Sequence, residues 1–204
     1  KLIFETISKA LRIQNKIKVK VTEIKKDGSF FKNEFIELSA YPLKHTAPCL
    51  GYVIKESDKI KINIDYIKKL KIPEGPILSE LQKGKDIIFL NKKIKSKDAT
   101  YTKKGKTVGI ILDTKLCSNC YKIAKNNDLL ICESTHDSSL QEKSEEFMHM
   151  TSMEAANIAK KSKSNKLVIT HFSQRYKDIS KLLKESKSVF PNTVAAEDFM
   201  EINV

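Results

Sequence analysis

Tryptophan is absent from the 204-residue sequence, and glycine and proline are scarce, at six and five residues. The longest unbroken aliphatic segments are about the size of residues 108–112. A membrane-spanning helix needs about 20 apolar residues, so the sequence predicts no membrane span. The four cysteines lack the spacing of a disulfide framework, and no charged-then-apolar signal segment opens the chain. We therefore expect a reducing, cytoplasmic setting.

The net charge of +13 is unevenly distributed along the chain. Residues 55–106 contain 15 lysines against seven acidic residues, a net charge of +8, whereas residues 107–204 contain 13 residues of each sign. A further +5 lies in residues 1–27. A local excess of this size suits a polyanion such as RNA, because each lysine near a phosphate releases counterions. Since 36 of the 38 basic residues are lysine, a coding bias that fills solvated faces is the simpler explanation from charge alone.

Composition and the positions of proline and glycine divide the chain into a core and a segment that leaves the core. The 40% apolar content can fill the core of one domain, or of one domain with a small appendage. Residues 57–104 are lysine-rich and interrupted by proline and glycine. They contain one helix-like part at 60–70 and one short strand at 87–90, and we interpret them as an excursion from the core.

The rest of the chain has the hydrophobic periods of strands and helices. Strands are predicted within 16–43, with a turn at 25–28, and at 52–54, 107–112, 129–132, 166–170 and 194–204. Helices are predicted at 2–14, 120–126, 151–163 and 178–189. Thr151 and Glu154 have the spacing of a capping box at the start of the third of these helices. Strands that alternate with helices predict a layered α/β sandwich.

Polar residues that follow apolar strands are the first candidates for chemistry. Asp113, Glu133 and His171 each come directly after such a strand. In open α/β sheets, sites form in the crevice beyond the C-terminal ends of the strands, and aspartate and histidine are ordinary zinc ligands. A single aspartate after a strand is more often a turn former, but the three together favour a shared site.

The other three histidines are weaker candidates. His149 lies two residues before the predicted helix cap, where its ring could face the same crevice or simply be solvated. His45 follows a strand-like segment, and His136 lies in a polar loop and is the least convincing of the four.

Cys117 and Cys120 form a Cys-x-x-Cys motif, which can be redox-active or half of a zinc site. No second pair follows at zinc-finger spacing, so we favour incidental or structural thiols.

Arg175 is one of only two arginines. Its guanidinium could grip a phosphate or carboxylate, or form a salt bridge to the helix that follows.

Six short motifs occur in order along the chain. They are His45-Thr-Ala-Pro-Cys-Leu-Gly-Tyr52, Gly75-Pro76 within residues 72–84, Asp113-Thr114, Glu133-Ser-Thr135, His149-Met-Thr151 and His171-Phe-Ser-Gln-Arg-Tyr176. Together they resemble the motifs of the tRNase Z family, zinc-dependent endonucleases of the metallo-β-lactamase superfamily that trim the 3′ ends of precursor tRNA. The ending at residues 190–199 also resembles that family.

The resemblance implies a fold and a substrate. The fold would be the α/β metallo-β-lactamase αβ/βα sandwich, present here as its C-terminal part, with a core from 1–54 and 107–204. Residues 55–106 would be a flexible, basic arm that clasps tRNA, with substrate-binding positions at Gly75, Pro76, Lys83 and Lys85. The implied reaction is hydrolysis of precursor tRNA after the discriminator nucleotide, and the implied assembly is a homodimer.

The resemblance also implies roles for the candidate residues. Two Zn²⁺ ions would occupy a complete active site, with Asp113 bridging them and His45 and His171 each holding one. Glu133 would orient His149, which would give a proton to the leaving 3′ oxygen. Thr114 and Arg175 are the supporting residues that the matched motifs imply.

One family motif, His-x-His-x-Asp-His, does not occur in the sequence. In the family this motif supplies most ligands of the dinuclear site. It lies N-terminal to the family segment that this chain resembles. A truncated chain, half of a split enzyme and a non-catalytic RNA-binding relative all fit this departure, and we favour truncation. A hydrolase of small esters has little use for the basic arm. We expect the 204-residue segment alone to be inactive and to bind zinc poorly.

Overall fold

The computed structural model describes Thr6 and residues 22–204. Apart from Thr6, the predicted helix at 2–14 lies outside the described residues, as does the first part of the strand pattern at 16–43. Within the described part of the chain, no helix is long and apolar enough to cross a membrane.

Eleven strands and seven α-helices occur within residues 22–204. In chain order the strands are β1 (Gly28–Lys32), β2 (Ile36–Pro42), β3 (Leu50–Glu56), β4 (Lys59–Ile62), β5 (Ile87–Phe89), β6 (Lys92–Ile94), β7 (Thr100–Lys103), β8 (Thr107–Ile111), β9 (Leu129–Glu133), β10 (Lys166–Thr170) and β11 (Thr193–Ala195). The helices are α1 (Ile64–Lys69), α2 (Pro76–Gln82), α3 (Ser96–Ala99), α4 (Ser118–Ala124), α5 (Gln141–Glu146), α6 (Ser152–Lys161) and α7 (Ser180–Val189).

The main sheet has seven strands in the order β1-β2-β3-β8-β9-β10-β11. The first four pair antiparallel, and β8 to β11 pair parallel. Helices connect the parallel strands, and their apolar faces pack with the strands in the largest buried cluster, which includes Ile111, Ile123, Leu130, Ile158 and Leu182. Because side chains of parallel strands are buried on both faces, the strands are nearly continuous apolar segments. The predicted α/β layering is thereby confirmed.

Helix α6 begins as its sequence predicts. The Thr151 hydroxyl accepts the backbone N–H of Glu154, and the Glu154 carboxylate accepts the backbone N–H of Thr151 at 2.9 Å. Both bonds satisfy amides that have no partner within the first helical turn. The predicted capping box is confirmed, and it fixes where the segment before α6 ends.

Residues 57–104 leave and rejoin the main sheet at one place. Strands β3 and β8 pair directly, with Lys55 opposite Thr107. Between them lie two small two-stranded sheets, β4-β7 and β5-β6, and a separate buried cluster made of Ile67, Ile72, Leu81, Ile94 and Ala99.

The helix predicted at 60–70 is only partly correct. Ile60 and Ile62 belong to strand β4, which pairs antiparallel with β7, and the helix starts after Asn63. The Asn63 side chain accepts the backbone N–H of Tyr66, and this cap favours a helix start at that point. The apolar residues of the strand and of the helix follow each other without a break in the sequence pattern, so the pattern did not show where the strand ends.

The strand predicted at 194–204 is wrong beyond Ala195. Strand β11 pairs only with β10, from Thr193 opposite Leu167 to Ala195 opposite Ile169. Strand β10 ends one residue later, at Thr170, so residues after Ala196 have no neighbouring strand to pair with. Phe199 instead takes a left-handed conformation, with φ of 64°.

Gly109 on β8 provides a test of the packing between the sheet and α4. A Cβ at this position would lie 2.1 Å from Asn127 Nδ2 and 2.9 Å from the Ile123 carbonyl oxygen. We expect Gly109→Ala to lower the free energy of unfolding by about 1–3 kcal/mol, since overpacking forces neighbours to move. Chemical denaturation measures this, with exposed Ser118→Ala on α4 as control. An unchanged midpoint for Gly109→Ala would contradict the packing.

Candidate metal centre

Five of the predicted site residues lie at the C-terminal edge of the parallel strands. Asp113 follows β8, Glu133 ends β9 and His171 follows β10, while His45 lies in the β2–β3 connection and His149 shortly before α6. His171 Nε2 lies 3.1 Å from Asp113 Oδ1. The ring centroids of His45 and His149 are 5.0 Å apart, and those of His149 and His171 are 5.2 Å apart. The structure therefore brings together three histidines and two carboxylates.

Two of these residues adopt an uncommon backbone conformation. Asp113 has φ of 50° and His171 has φ of 59°, both in the left-handed region. Aspartate and histidine are among the few non-glycine residues enriched there. The conformation changes the chain direction directly after each strand, and such strain concentrates at functional sites.

Hydrogen bonds to Nδ1 orient two of the rings. His45 Nδ1 lies 3.2 Å from the Met148 carbonyl oxygen, and His171 Nδ1 lies 3.0 Å from the Thr135 hydroxyl. A proton on Nδ1 satisfies both contacts, which leaves Nε2 of each ring as the free lone pair for a metal. The Thr135 hydroxyl can then donate to Glu133 Oε2 at 2.8 Å.

The Glu133 carboxylate is fully buried and surrounded by donors. It accepts the backbone N–H of Thr114 at 2.5 Å and that of Met150 at 3.0 Å, besides the Thr135 hydroxyl. His149 Nδ1 lies 3.1 Å from Glu133 Oε2. Because four groups fix the carboxylate, it holds the His149 ring in one orientation and leaves Nε2 of that ring free.

Thr114 connects the Asp113 strand end to the His45 connection. Its hydroxyl oxygen accepts the Lys44 backbone N–H at 3.0 Å, and the Lys115 backbone N–H donates to the Lys44 carbonyl at 2.9 Å. The sequence analysis assigned no role to Thr135. Its position two residues after the strand-end carboxylate Glu133 was the available signal, because side chains two residues apart in an extended segment point to the same side.

The donor atoms fit a divalent metal ion. Two groups have their ligand atoms within 4.8 Å of one another, namely His45 with Asp113 and His149, and Glu133 with His149 and His171. Imidazole nitrogen with carboxylate oxygen is a typical ligand set for zinc, and a catalytic zinc takes three protein ligands. His149 belongs to both groups, so the described residues supply fewer ligands than two complete sites need.

Two candidates lie outside this cluster. His136 is buried, its Nδ1 is 2.9 Å from the Ser144 hydroxyl, and burial lowers its pKa. Arg175 is exposed, and its Nε donates to the Ser173 hydroxyl at 3.0 Å. The hydrogen bond to Ser173 is local, and both interpretations of Arg175, an anion contact and a salt bridge to the helix that follows, stay predictions.

The four candidate arm residues lie at the two ends of α2. Gly75, with φ of 147°, precedes the helix, and Pro76 is its first residue. Lys83 and Lys85 both bind Glu80, with Nζ–Oε distances of 2.8 and 2.9 Å. Hydrogen bonds from these two lysines lower the pKa of Glu80 to about 2. Binding to phosphate would therefore compete with an existing ion pair.

Asp137 secures the loop that follows Thr135. Its carboxylate accepts the Tyr176 hydroxyl at 2.8 Å and the Ser139 backbone N–H at 2.9 Å, and it pairs with Lys181 Nζ at 2.9 Å. Burial raises the pKa of Asp137, but the hydrogen bonds from Ser139, Lys181 and Tyr176 outweigh it and hold the pKa well below its usual range.

We expect Asp137→Asn to lower the free energy of unfolding by about 1–3 kcal/mol at neutral pH. Because the folded-state pKa is depressed, the carboxylate's contribution is fully present above the ordinary aspartate pKa of about 3.9. It is lost as the pH falls below that value. Thermal unfolding between pH 7 and pH 3 measures the difference between variant and wild type, which should shrink on acidification. Exposed Glu142→Gln is the control, and a constant difference would contradict the assignment.

No family model matches the chain. Among curated proteins, ribonuclease BN of Proteus mirabilis is 36% identical over 184 residues, covering 88% of this chain and 60% of the relative. Ribonuclease Z of Treponema denticola is 31% identical over 205 residues, covering 98% of this chain and 67% of the relative. The chain thus spans 60% to 67% of the length of these two relatives.

Solved structures agree on the fold. The short form of human tRNase Z has a TM-score of 0.52 and 23% identity, covering 87% of this chain and 47% of that chain. A metallo-beta-lactamase fold protein from Bacillus subtilis has a TM-score of 0.58 and 18% identity, covering 94% of this chain and 58% of that chain. The described sheet and helices are part of a metallo-β-lactamase fold, as the family resemblance implied.

Proposed function

The chain belongs to the ribonuclease Z family, and from that premise we propose that the protein is a zinc-dependent endoribonuclease that removes the 3′ trailer from precursor tRNA. Hydrolysis after the discriminator nucleotide is part of the proposal. The observation that carries it is the meeting of Asp113 and His171, which follow parallel strands, with His149, which precedes α6. The chain's relatives bear ribonuclease names. The proposal concerns the whole protein, because the chain spans only part of each relative's length.

Three residues are proposed to hold the metals. Asp113 would bridge two Zn²⁺ ions, and His45 and His171 would each hold one through Nε2. When bound, the ions supply Lewis-acid stabilisation of phosphate charge and lower the pKa of water. The contacts at Met148 and Thr135 support this arrangement, because they keep Nδ1 of both rings occupied.

His149 is proposed to give a proton to the leaving 3′ oxygen. Its Nδ1 is held against Glu133 Oε2 at 3.1 Å, so the remaining ring nitrogen, Nε2, is the one that can donate to substrate. Glu133 is a positioning residue in this account, since it is fully buried. His149 also belongs to both candidate ligand groups, and its role as a ligand is the competing hypothesis.

The isolated 204-residue chain is proposed to be inactive and to bind zinc poorly. Once His149 serves as proton donor, His45, Asp113 and His171 are too few ligands to close two sites. Tight, stoichiometric zinc in the isolated chain, measured by calorimetry and metal analysis, would contradict this proposal.

A cleavage assay tests the function. A 3′-extended precursor tRNA, labelled at its 5′ end, is incubated with the complete protein and Zn²⁺, and the product ends are mapped. We expect a single cut after the discriminator nucleotide, and none after a chelator is added. Binding of the precursor without any cleavage would overturn the enzyme proposal and favour a non-catalytic RNA-binding relative.

Residues 55–106 are proposed as the arm that binds the tRNA body, attached to a core from 1–54 and 107–204. The separate buried cluster and the +8 charge of the segment support this division. Recognition of a folded RNA would rest on shape and phosphates more than on base edges.

A homodimer and a cytoplasmic location stay predictions from the family resemblance. Light scattering of the complete protein tests the homodimer.

The arm proposal predicts a salt-dependent loss of affinity. Replacing both Lys83 and Lys85 with Ala should weaken binding of precursor tRNA several-fold. The slope of log affinity against log salt should fall by about one for each phosphate that is no longer neutralised. Fluorescence anisotropy at several salt concentrations measures both. Lys160→Ala with Lys161→Ala is the matched control, because it removes two exposed lysines from α6. Equal effects of the two pairs would contradict a specific role for the arm.

A further inference from the structure

The thiols of Cys117 and Cys120 are a close pair that the proposed function does not use. Their sulfur atoms are 3.6 Å apart, and the backbone N–H of Cys120 donates to the Cys117 carbonyl at 3.1 Å. Cys120 is fully buried, whereas Cys117 is only partly buried. One thiol of the pair is thus accessible to a small reagent, and the other is positioned behind it.

The surroundings of the pair differ from what its sequence indicated. Cys117 directly precedes α4, which connects β8 to β9, and these two strands are parallel neighbours. The motif therefore opens the helix of a β-α-β unit, which is the setting in which Cys-x-x-Cys pairs carry out thiol exchange. The sequence interpretation favoured incidental or structural thiols, because no second pair follows at zinc-finger spacing.

The two thiols also differ in acidity. The hydrogen bond from the Cys120 thiol, with contributions from the backbone amides of Cys120 and Asn119, holds the pKa of Cys117 below its usual value. The same contact and burial raise the pKa of Cys120 well above its usual value. An acidic, accessible thiol beside a buried partner is the arrangement of an attacking and a resolving cysteine.

We propose that Cys117 and Cys120 form a redox-active dithiol that exchanges with low-molecular-weight disulfides such as oxidised glutathione. The Cys117 thiolate attacks one sulfur of the disulfide, forms a mixed disulfide and releases one glutathione thiolate. Cys120 then loses its proton to solvent and attacks Cys117 Sγ, which forms the intramolecular disulfide and releases the second thiolate. Both thiolates take up protons, so two protein thiols are oxidised and one glutathione disulfide is reduced to two thiols.

The pair lies close to the metal-centre scaffold. Cys117 comes three positions after Thr114 in the chain. Thr114 in turn bonds the Glu133 carboxylate and Lys44 beside His45. A disulfide bond of about 2.05 Å requires the two sulfur atoms to approach from their separation of 3.6 Å.

A zinc site at this pair is not supported. Within the part of the chain that the structure describes, neither cysteine belongs to a group of metal-ligating side chains. The other two thiols occupy different surroundings, since Cys49 donates to the Asp113 carbonyl at 3.2 Å and Cys132 is fully buried. The pair is thus free to react as a dithiol.

Thiol mapping of the complete protein tests the proposal. The protein is equilibrated in buffers of defined oxidised-to-reduced glutathione ratio, quenched with acid, denatured and alkylated, and its peptides are analysed by mass spectrometry. We expect the loss of two alkylation sites, at Cys117 and Cys120, to rise together with the ratio and to reverse with a dithiol reductant. Cys49 and Cys132 should remain alkylated throughout.

Two variants separate the steps. Cys120→Ser should retain one persistent glutathione adduct at Cys117, and Cys117→Ser should show no adduct at Cys120. Cys49→Ser is the control and should leave the wild-type pattern unchanged. Both thiols staying reduced in oxidising buffer, or a disulfide that includes Cys49, would overturn the proposal. Thiol mapping of the wild-type protein tests the proposal even if a variant fails to fold. The result does not depend on whether the protein cleaves RNA.

Discussion

Asp113→Asn in the complete protein should lower the rate of precursor-tRNA cleavage by about 10²–10³-fold, the scale on which a preorganised electrostatic group contributes to catalysis. The amide keeps the shape of the side chain and tolerates the left-handed backbone at this position. It removes the negative charge that would bridge two cations. The expected defect is therefore one of metal occupancy at an intact fold.

Metal analysis of the same preparation completes the test. Bound zinc per protomer should fall together with activity, while the thermal midpoint of the metal-free protein changes little. Asp178→Asn is the matched control, because Asp178 is an exposed aspartate seven positions after His171. Wild-type zinc content with unchanged cleavage would show that Asp113 is not a ligand.

His171→Ala should reduce cleavage to the same extent, and the double variant with Asp113→Asn should be little slower than either single variant. His171 Nε2 and Asp113 Oδ1 are 3.1 Å apart and are proposed to hold the same metal, so removing either disables one unit. Effects that multiplied would instead indicate two independent roles.

Much of this site could be predicted from strand ends alone. Asp113, Glu133 and His171 each follow an apolar segment, and parallel strands place their C-terminal ends at one edge. The helix beginning at Ser152 was also predictable, because its capping box is local. Each of these features depends on residues that are close together in the sequence, so the sequence pattern can predict it.

Hydrogen bonds between distant residues could not be predicted in the same way. The bond from His171 to Thr135 joins residues 36 apart, and that from His45 to Met148 joins residues 103 apart. The end of β11 at Ala195 depends on where β10 stops. Each follows from tertiary pairing, for which local periodicity has no signal.

The role proposed for His149 leads to the second large effect. His149→Ala should lower the rate of precursor-tRNA cleavage by about 10²–10⁴-fold, the range over which a positioned general acid contributes. The ribose 3′ oxygen of the tRNA needs a proton as it leaves. A nitrophenolate leaving group does not, so the same variant should hydrolyse an activated nitrophenyl phosphodiester at nearly the wild-type rate.

This pair of substrates distinguishes a proton donor from a metal ligand. His149 belongs to both candidate ligand groups, and removal of a ligand would slow both substrates to the same extent and lower the zinc content. Glu133→Gln should resemble His149→Ala in its substrate dependence, with a smaller effect on cleavage, because the amide still reaches His149 Nδ1 and keeps part of the ring's orientation. Equal effects on both substrates would therefore assign His149 to the metals and leave the leaving oxygen without a proton donor among the described residues.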